Sequence, residues 1–135
     1  MRGFTGPAED RLLIRERIEA YNDAVFRHDP DDWAECWAAD ATWNVGPHRA
    51  EGRPAIRDLW VSLMAGFAQA SMFVAHAAVD IQGDHADSRS YMLELLKSTD
   101  GTERLVSGRY DDRLRRDPDG QWRFVSRAYT VLQAR

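Results

Sequence analysis

The hydrophobic period of this chain turns from mainly helical to alternating near residue 70, and that change restricts its fold more than any other feature. Before it, apolar residues recur at three- and four-residue spacings; after it, they alternate with polar ones in long runs. The first pattern puts an apolar stripe on a helix, the second an apolar face on a strand. Over residues 9–28, Leu12, Leu13, Ala20, Tyr21, Ala24 and Val25 share one helical face, with Arg11, Arg15, Glu16, Arg17 and Glu19 largely outside it. His28-Asp29-Pro30 ends this helix, because proline disfavours helical backbone in the residue before it. Asp29 then offers an N-cap, with Pro30 at the first helical position and Asp31 and Asp32 near the positive end of the dipole. This predicts a short second helix over residues 31–39, burying Trp33, Cys36 and Trp37. Residues 41–45 read as a short strand turned by Gly46-Pro47. Glu51-Gly52-Arg53-Pro54 opens a third helix over 54–68, with Ile56, Leu59, Trp60, Leu63 and Met64 at helical spacing.

Beyond it, runs at 73–81, 86–97, 103–115 and 122–132 read as strands. Gly83-Asp84, Asp100-Gly101 and Asp117-Pro118-Asp119-Gly120 separate them as hairpin turns. The expected architecture is α+β, three helices packed against one face of a curved antiparallel sheet. With 135 residues there is room for one domain, placed at 9–135, and residues 1–8 read as a disordered lead-in.

The composition, 44% hydrophobic and 30% charged with a net charge of −4, suits a chain that buries a core. The longest uncharged run, residues 59–79, is broken by Ser62, Gln69, Ser71 and His76, too polar for a membrane span. Basic residues are scattered, and Asp111, Asp112 and Asp117 offset the one cluster, Arg113, Arg115 and Arg116; nucleic acid is not an expected partner. A single cysteine, Cys36, and a start without an apolar core point to the cytoplasm.

Several pieces punctuate this order: Tyr21 and the His28-Asp29 break, then Trp37-Ala38-Ala39-Asp40-Ala41-Thr42-Trp43, then Glu51-Gly52-Arg53-Pro54-Ala55-Ile56. Gly108-Arg109-Tyr110-Asp111-Asp112 and Gly120-Gln121-Trp122-Arg123-Phe124 complete the set. In order and spacing, from about residue 9 to the end, they resemble the SnoaL-like families of the nuclear transport factor 2-like (cystatin-like) superfamily. That resemblance implies a sheet wrapped into a conical pocket closed by the helices. It implies no single function, since the superfamily holds ketosteroid isomerases, scytalone dehydratase-like enzymes, polyketide cyclases and non-catalytic binders.

Four residues are candidates for catalysis. His76 lies in an apolar strand, Met72 to Val79, where an imidazole can exchange protons near neutrality; the resemblance to dehydratase-like members assigns a catalytic histidine to this strand. Tyr21 stands eight positions before Asp29, as the oxyanion-binding tyrosine of ketosteroid isomerases does before its helix break, and Tyr110 corresponds to their second donor. Alternation puts Ala86, Ser88, Ser90, Met92 and Glu94 on the expected pocket face, where a carboxyl would have its pKa raised. A rim Glu94 paired to Arg109 or Arg127 is the competing assignment. The resemblance also marks two losses: Val45 stands where isomerases carry their aspartate base, and Phe26 where dehydratase-like members carry an aspartate.

Phe26, Trp43, Met92 and Trp60 are the expected substrate-binding residues, suited to a flat, apolar, oxygenated ligand such as an aromatic polyketide, terpenoid or sterol-like molecule. No two of His28, His48, His76 and His85 have metal-ligand spacing, and no nucleotide or serine-hydrolase motif occurs, so neither metal nor cofactor is expected. Two functions remain open: a cofactor-independent lyase or isomerase using His76, and a non-catalytic small-molecule-binding or dimerisation module. A homodimer is expected through the outer sheet face, with Arg89, Tyr91, Leu93, Arg109, Arg127 and Tyr129 placed on it.

Overall fold

The helical half of the sequence forms α1 (Ala8–Arg27), α2 (Pro30–Glu35) and α3 (Arg53–Met64) in a computed structural model that describes residues 1–135. Strands β1 (Gly3–Thr5), β2 (Trp37–Val45), β3 (His48–Glu51), β4 (Phe67–Gln82), β5 (His85–Ser98), β6 (Glu103–Arg116) and β7 (Trp122–Ala134) make one curved, unclosed sheet. Its order is β1-β4-β5-β6-β7-β2-β3. The fold is α+β with three helices, as expected, but the sheet is mixed. β4 to β7 are antiparallel, whereas β1 runs parallel to β4 and β2 parallel to β7.

The helix boundaries follow local chemistry. His28 takes a left-handed conformation and closes α1, donating its N–H to the Ala24 and Val25 carbonyls. Asp29 Oδ1 then accepts from the N–H groups of Asp31 and Asp32 at 3.1 and 3.0 Å, capping α2.

Three sequence expectations change. Residues 1–8 are not a disordered lead-in throughout: β1 pairs with Ala78–Asp80, and Thr5 donates a side-chain hydrogen bond to Asp80 at 2.8 Å. It covers part of an edge that would otherwise expose unpaired backbone groups. The second helix stops at Glu35, because Trp37 pairs with Phe124 and the Phe124 N–H donates to the Cys36 carbonyl at 2.9 Å. The third helix stops at Met64, because residues from Phe67 onward pair with the end of β5.

The helices cover one face of the sheet, α1 against β4 and β7 and α3 against β2 and β3. Between the layers Trp33 stacks on Trp60 at 4.8 Å, and Tyr21 meets Trp37 and Phe124 edge-on. Into this core β7 inserts Arg127, which binds Asp112 of β6 in a two-pronged contact of 2.7 and 3.0 Å with both side chains fully buried. Removing one partner of such a pair strands a charge in a dry interior. Asp112→Ala should therefore cost about 3–5 kcal/mol, and Asp112→Leu combined with Arg127→Met much less. Urea denaturation of the two variants measures the difference.

Candidate functional site

Strand pairing places the inward side chains in rows. Met72, Glu94 and Val106 form one; His76, Ser90, Tyr110 and Tyr129 another; Val79, Ser88, Asp112 and Arg127 the next. Beside the first two rows lies a cavity of about 260 Å³, thirteen of whose fourteen lining residues are hydrophobic. Tyr21 and Val25 come from α1, Trp60, Leu63 and Met64 from α3, and Trp43 and Val45 from β2. The sheet adds Phe67, Ala70, Met72, Leu96, Tyr110, Tyr129 and the single carboxyl side chain, Glu94. Wider clefts of about 380 and 700 Å³ occur on the surface, but both have charged linings that include Arg115, and in the larger one it pairs with Asp117. The apolar cavity is the site that can desolvate a ligand.

Glu94 pairs with neither Arg109 nor Arg127, whose partners are Asp111 and Asp112. Instead Tyr129 donates its phenolic hydrogen to Glu94 Oε2 at 2.5 Å. Tyr129 starts on β7, and β6 lies between it and Glu94 on β5. Its ring crosses over Gly108, where an added Cβ would lie 2.3 Å from the ring and the hydroxyl. Burial pushes the Glu94 carboxyl above the usual carboxylate range, and the Tyr129 hydrogen bond draws it partly back. Tyr129 is itself raised by burial and by the carboxylate it faces, so it stays a neutral donor.

Across the cavity, Tyr21 and Tyr110 are both buried, with their hydroxyls 3.2 Å apart. Burial raises both phenols, which keeps them protonated and able to donate. The Trp43 indole N–H, also buried, has no hydrogen-bond partner. This end of the cavity therefore offers hydrogen-bond donors, and the Glu94 end a carboxyl.

Of the sequence candidates, Tyr21, Tyr110, Glu94, Trp43 and Trp60 meet at this cavity, and three do not. His76 faces the same side of the sheet but lies outside the lining; its Nε2 is 2.9 Å from Ser88 Oγ and its ring meets Phe4 edge-on. Burial lowers its pKa, with the Arg15 and Arg127 charges adding to the effect. Phe26 is 39% exposed and packs on Phe73 along the part of β4 that β1 leaves uncovered. Met92 is buried beside Gly108, outside the lining. Arg127 and Tyr129 are also corrected: both point inward, not onto the outer face. Register shifts at Ser107/Gly108 and Arg113/Leu114 separate the alternation of β7 from that of β6, so parity counted along the sequence misplaced them. Tyr129 and Gly108 are the site residues that sequence reasoning missed. No three His, Cys, Asp or Glu side chains gather where they could hold a metal ion.

This architecture is that of the nuclear transport factor 2-like, cystatin-like fold. Within it the chain belongs to the SnoaL-like domain family, whose model matches residues 7–128. A candidate aromatic ring hydroxylase from Novosphingobium aromaticivorans has a similar structure, with a TM-score of 0.88 at 27% identity over 96% of this chain and 93% of that one. A candidate scytalone dehydratase from the same organism gives 0.86 at 21% identity, over 93% and 86%. The dehydrochlorinase LinA gives 0.85 at 21%, over 93% and 88%. At such identities the last two show the fold alone. No curated protein matches the sequence.

Two variants probe the site. Gly108→Ala should displace the Tyr129 ring and break its contact with Glu94, costing about 1–3 kcal/mol through overpacking; a crystal structure and thermal unfolding check both effects. For Glu94, the unfolded carboxyl loses its proton at lower pH than the folded one. Its contribution to stability is thus greatest below the unfolded value of about 4.3 and falls as pH rises through the raised folded value. Glu94→Gln removes the cost of the buried charge, so its melting temperature should exceed that of the wild type at about pH 8, the gap closing near pH 4.

Proposed function

We propose that the cavity binds a small, apolar molecule carrying a carbonyl-type oxygen, and that Glu94 moves a proton on it without a cofactor. The observation that carries this is one carboxyl, raised in pKa, inside an otherwise apolar cavity and facing a pair of neutral phenols. Glu94 would take the proton from a carbon next to the carbonyl, and Tyr21 and Tyr110 would donate to the enolate oxygen. Returning that proton to another carbon completes an isomerisation that consumes nothing else. Glu94, not His76, is the acid–base group of this proposal, because His76 lies outside the lining. A volume of about 260 Å³ falls below the ~300–1,000 Å³ of ordinary ligand pockets, which favours a molecule of about one ring over a sterol or polyketide.

The second reading is a binding module without chemistry. It is favoured by Val45 in the cavity wall and by the lack of a second carboxyl or an imidazole among the lining residues. Exchange of α-hydrogens of small cyclic ketones in heavy water, followed by NMR, separates the two. The enzyme reading expects exchange that falls about 10²–10⁴-fold in Glu94→Gln with ligand binding kept. Binding without exchange in the wild type supports the module.

On the outer face, Phe73, Tyr91, Leu93 and Leu95 are each more than 40% exposed, and pairing sets Phe73 beside Leu93. The neighbouring charges Arg109 and Asp111 already pair with each other at 2.9 Å, leaving an apolar stripe that a second copy can match about a two-fold axis. We propose that the protein is a homodimer through this face. Light scattering should give a dimer mass, reduced to a monomer by Leu93→Glu; a monomeric wild type contradicts it.

A further inference from the structure

The proton transfer just described moves negative charge across the cavity. When Glu94 takes a proton from carbon, the carboxylate becomes neutral and the charge appears on the ligand oxygen beside Tyr21 and Tyr110. Whatever sits behind those phenols then feels the new anion. Behind them is Arg127. Its guanidinium carbon lies 3.7 Å from the centre of the Tyr110 ring, 4.4 Å from that of Tyr21 and 4.1 Å from that of Phe124. Asp112 binds its Nε and Nη2, and its Nη1 is buried with no hydrogen-bond partner.

We propose, on the basis of the ligand reading above, that Arg127 is a positioning residue of this site. Held by Asp112 against the faces of Tyr110 and Tyr21, it makes the phenol pair select a small ligand in its oxyanionic form, an enolate or phenolate, over the neutral form. A cation against a phenol ring draws electron density from the hydroxyl and strengthens the hydrogen bond that hydroxyl donates to an anion. In a water-poor interior the guanidinium charge is weakly screened at this range. Arg127 pulls both phenols back down from where burial puts them, in keeping with that influence. The same placement explains why a charged residue occupies the core where an apolar one would cost less: the pair aims a fixed positive charge at the cavity without touching the ligand.

The titratable groups around the phenols are Glu94 and Tyr129 from the sheet, Tyr21 from α1, and the Arg127–Asp112 pair. The test uses 4-nitrophenol, a one-ring acid whose phenolate has its own absorbance band, with nitrobenzene as the neutral control. In the wild type, bound 4-nitrophenol should ionise at lower pH than free 4-nitrophenol. Arg127→Met with Asp112→Leu removes both charges together and should raise the pH of bound ionisation by about one unit, a tenfold loss of preference for the anion. Asp112→Asn leaves Arg127 without its counter-charge and should lower that pH. Nitrobenzene affinity should stay within about threefold throughout, as expected for a neutral ligand that feels no net charge. A structural role alone would move both variants in one direction or neither, and either result overturns the proposal. Either variant decides the question if the other does not fold. If nitrobenzene and 4-nitrophenol both fail to bind the wild type, the ligand reading falls and this inference with it.

Discussion

A tyrosine ring laid over a glycine connects the sheet to the one carboxyl of its cavity. Because Gly108 has no side chain, the Tyr129 ring can cross β6 and deliver its hydrogen to Glu94 on β5. That hydrogen bond orients the carboxyl and satisfies one of its oxygens in a lining that offers no cation. An unpartnered carboxylate there would be costly; a partnered one keeps a raised pKa without unfolding the sheet. The site thus depends on three strands being in register, which the hairpins between them enforce.

A second buried polar contact, Arg127 with Asp112, sits one row along the sheet from the phenols. A well-packed apolar pair of similar size is often no less stable than a buried ion pair, so stability alone does not account for it. Here the pair joins β6 to β7 and lies beneath two of the cavity's aromatic walls. The side chains that join the two strands are thus the ones that lie against those walls.

The sequence made the architecture legible because its period changes from helical to alternating, and because Asp29, Pro30 and the hairpin dipeptides mark where elements begin and end. The inward placement of Glu94 was legible too, from parity along a single strand. Parity stops being informative at a bulge, and Arg127 and Tyr129 lie beyond one, so only the pairing of β6 with β7 shows which way they face. His76 lies outside the cavity lining for a different reason. It sits on the inward face as alternation requires, but a sheet that curves under three helices holds both a packed core and a cavity, and one-dimensional periodicity cannot tell them apart. Short β1 and β3 carry too few residues for any period to register. The resemblance to a known family located the fold and placed Tyr21 and Tyr110 at the cavity, while the family's acidic positions are occupied here by Phe26 and Val45 and the cavity's one carboxyl stands on β5.

Glu94 stands as a carboxyl in an apolar cavity, and we propose that it is poised there for proton exchange. A titration of the Glu94 carboxyl carbon by NMR in selectively labelled protein reads that state at the residue itself. Its midpoint should lie above the ordinary glutamate value of about 4.3. A midpoint at or below that value, as for a solvated or cation-paired glutamate, would contradict it.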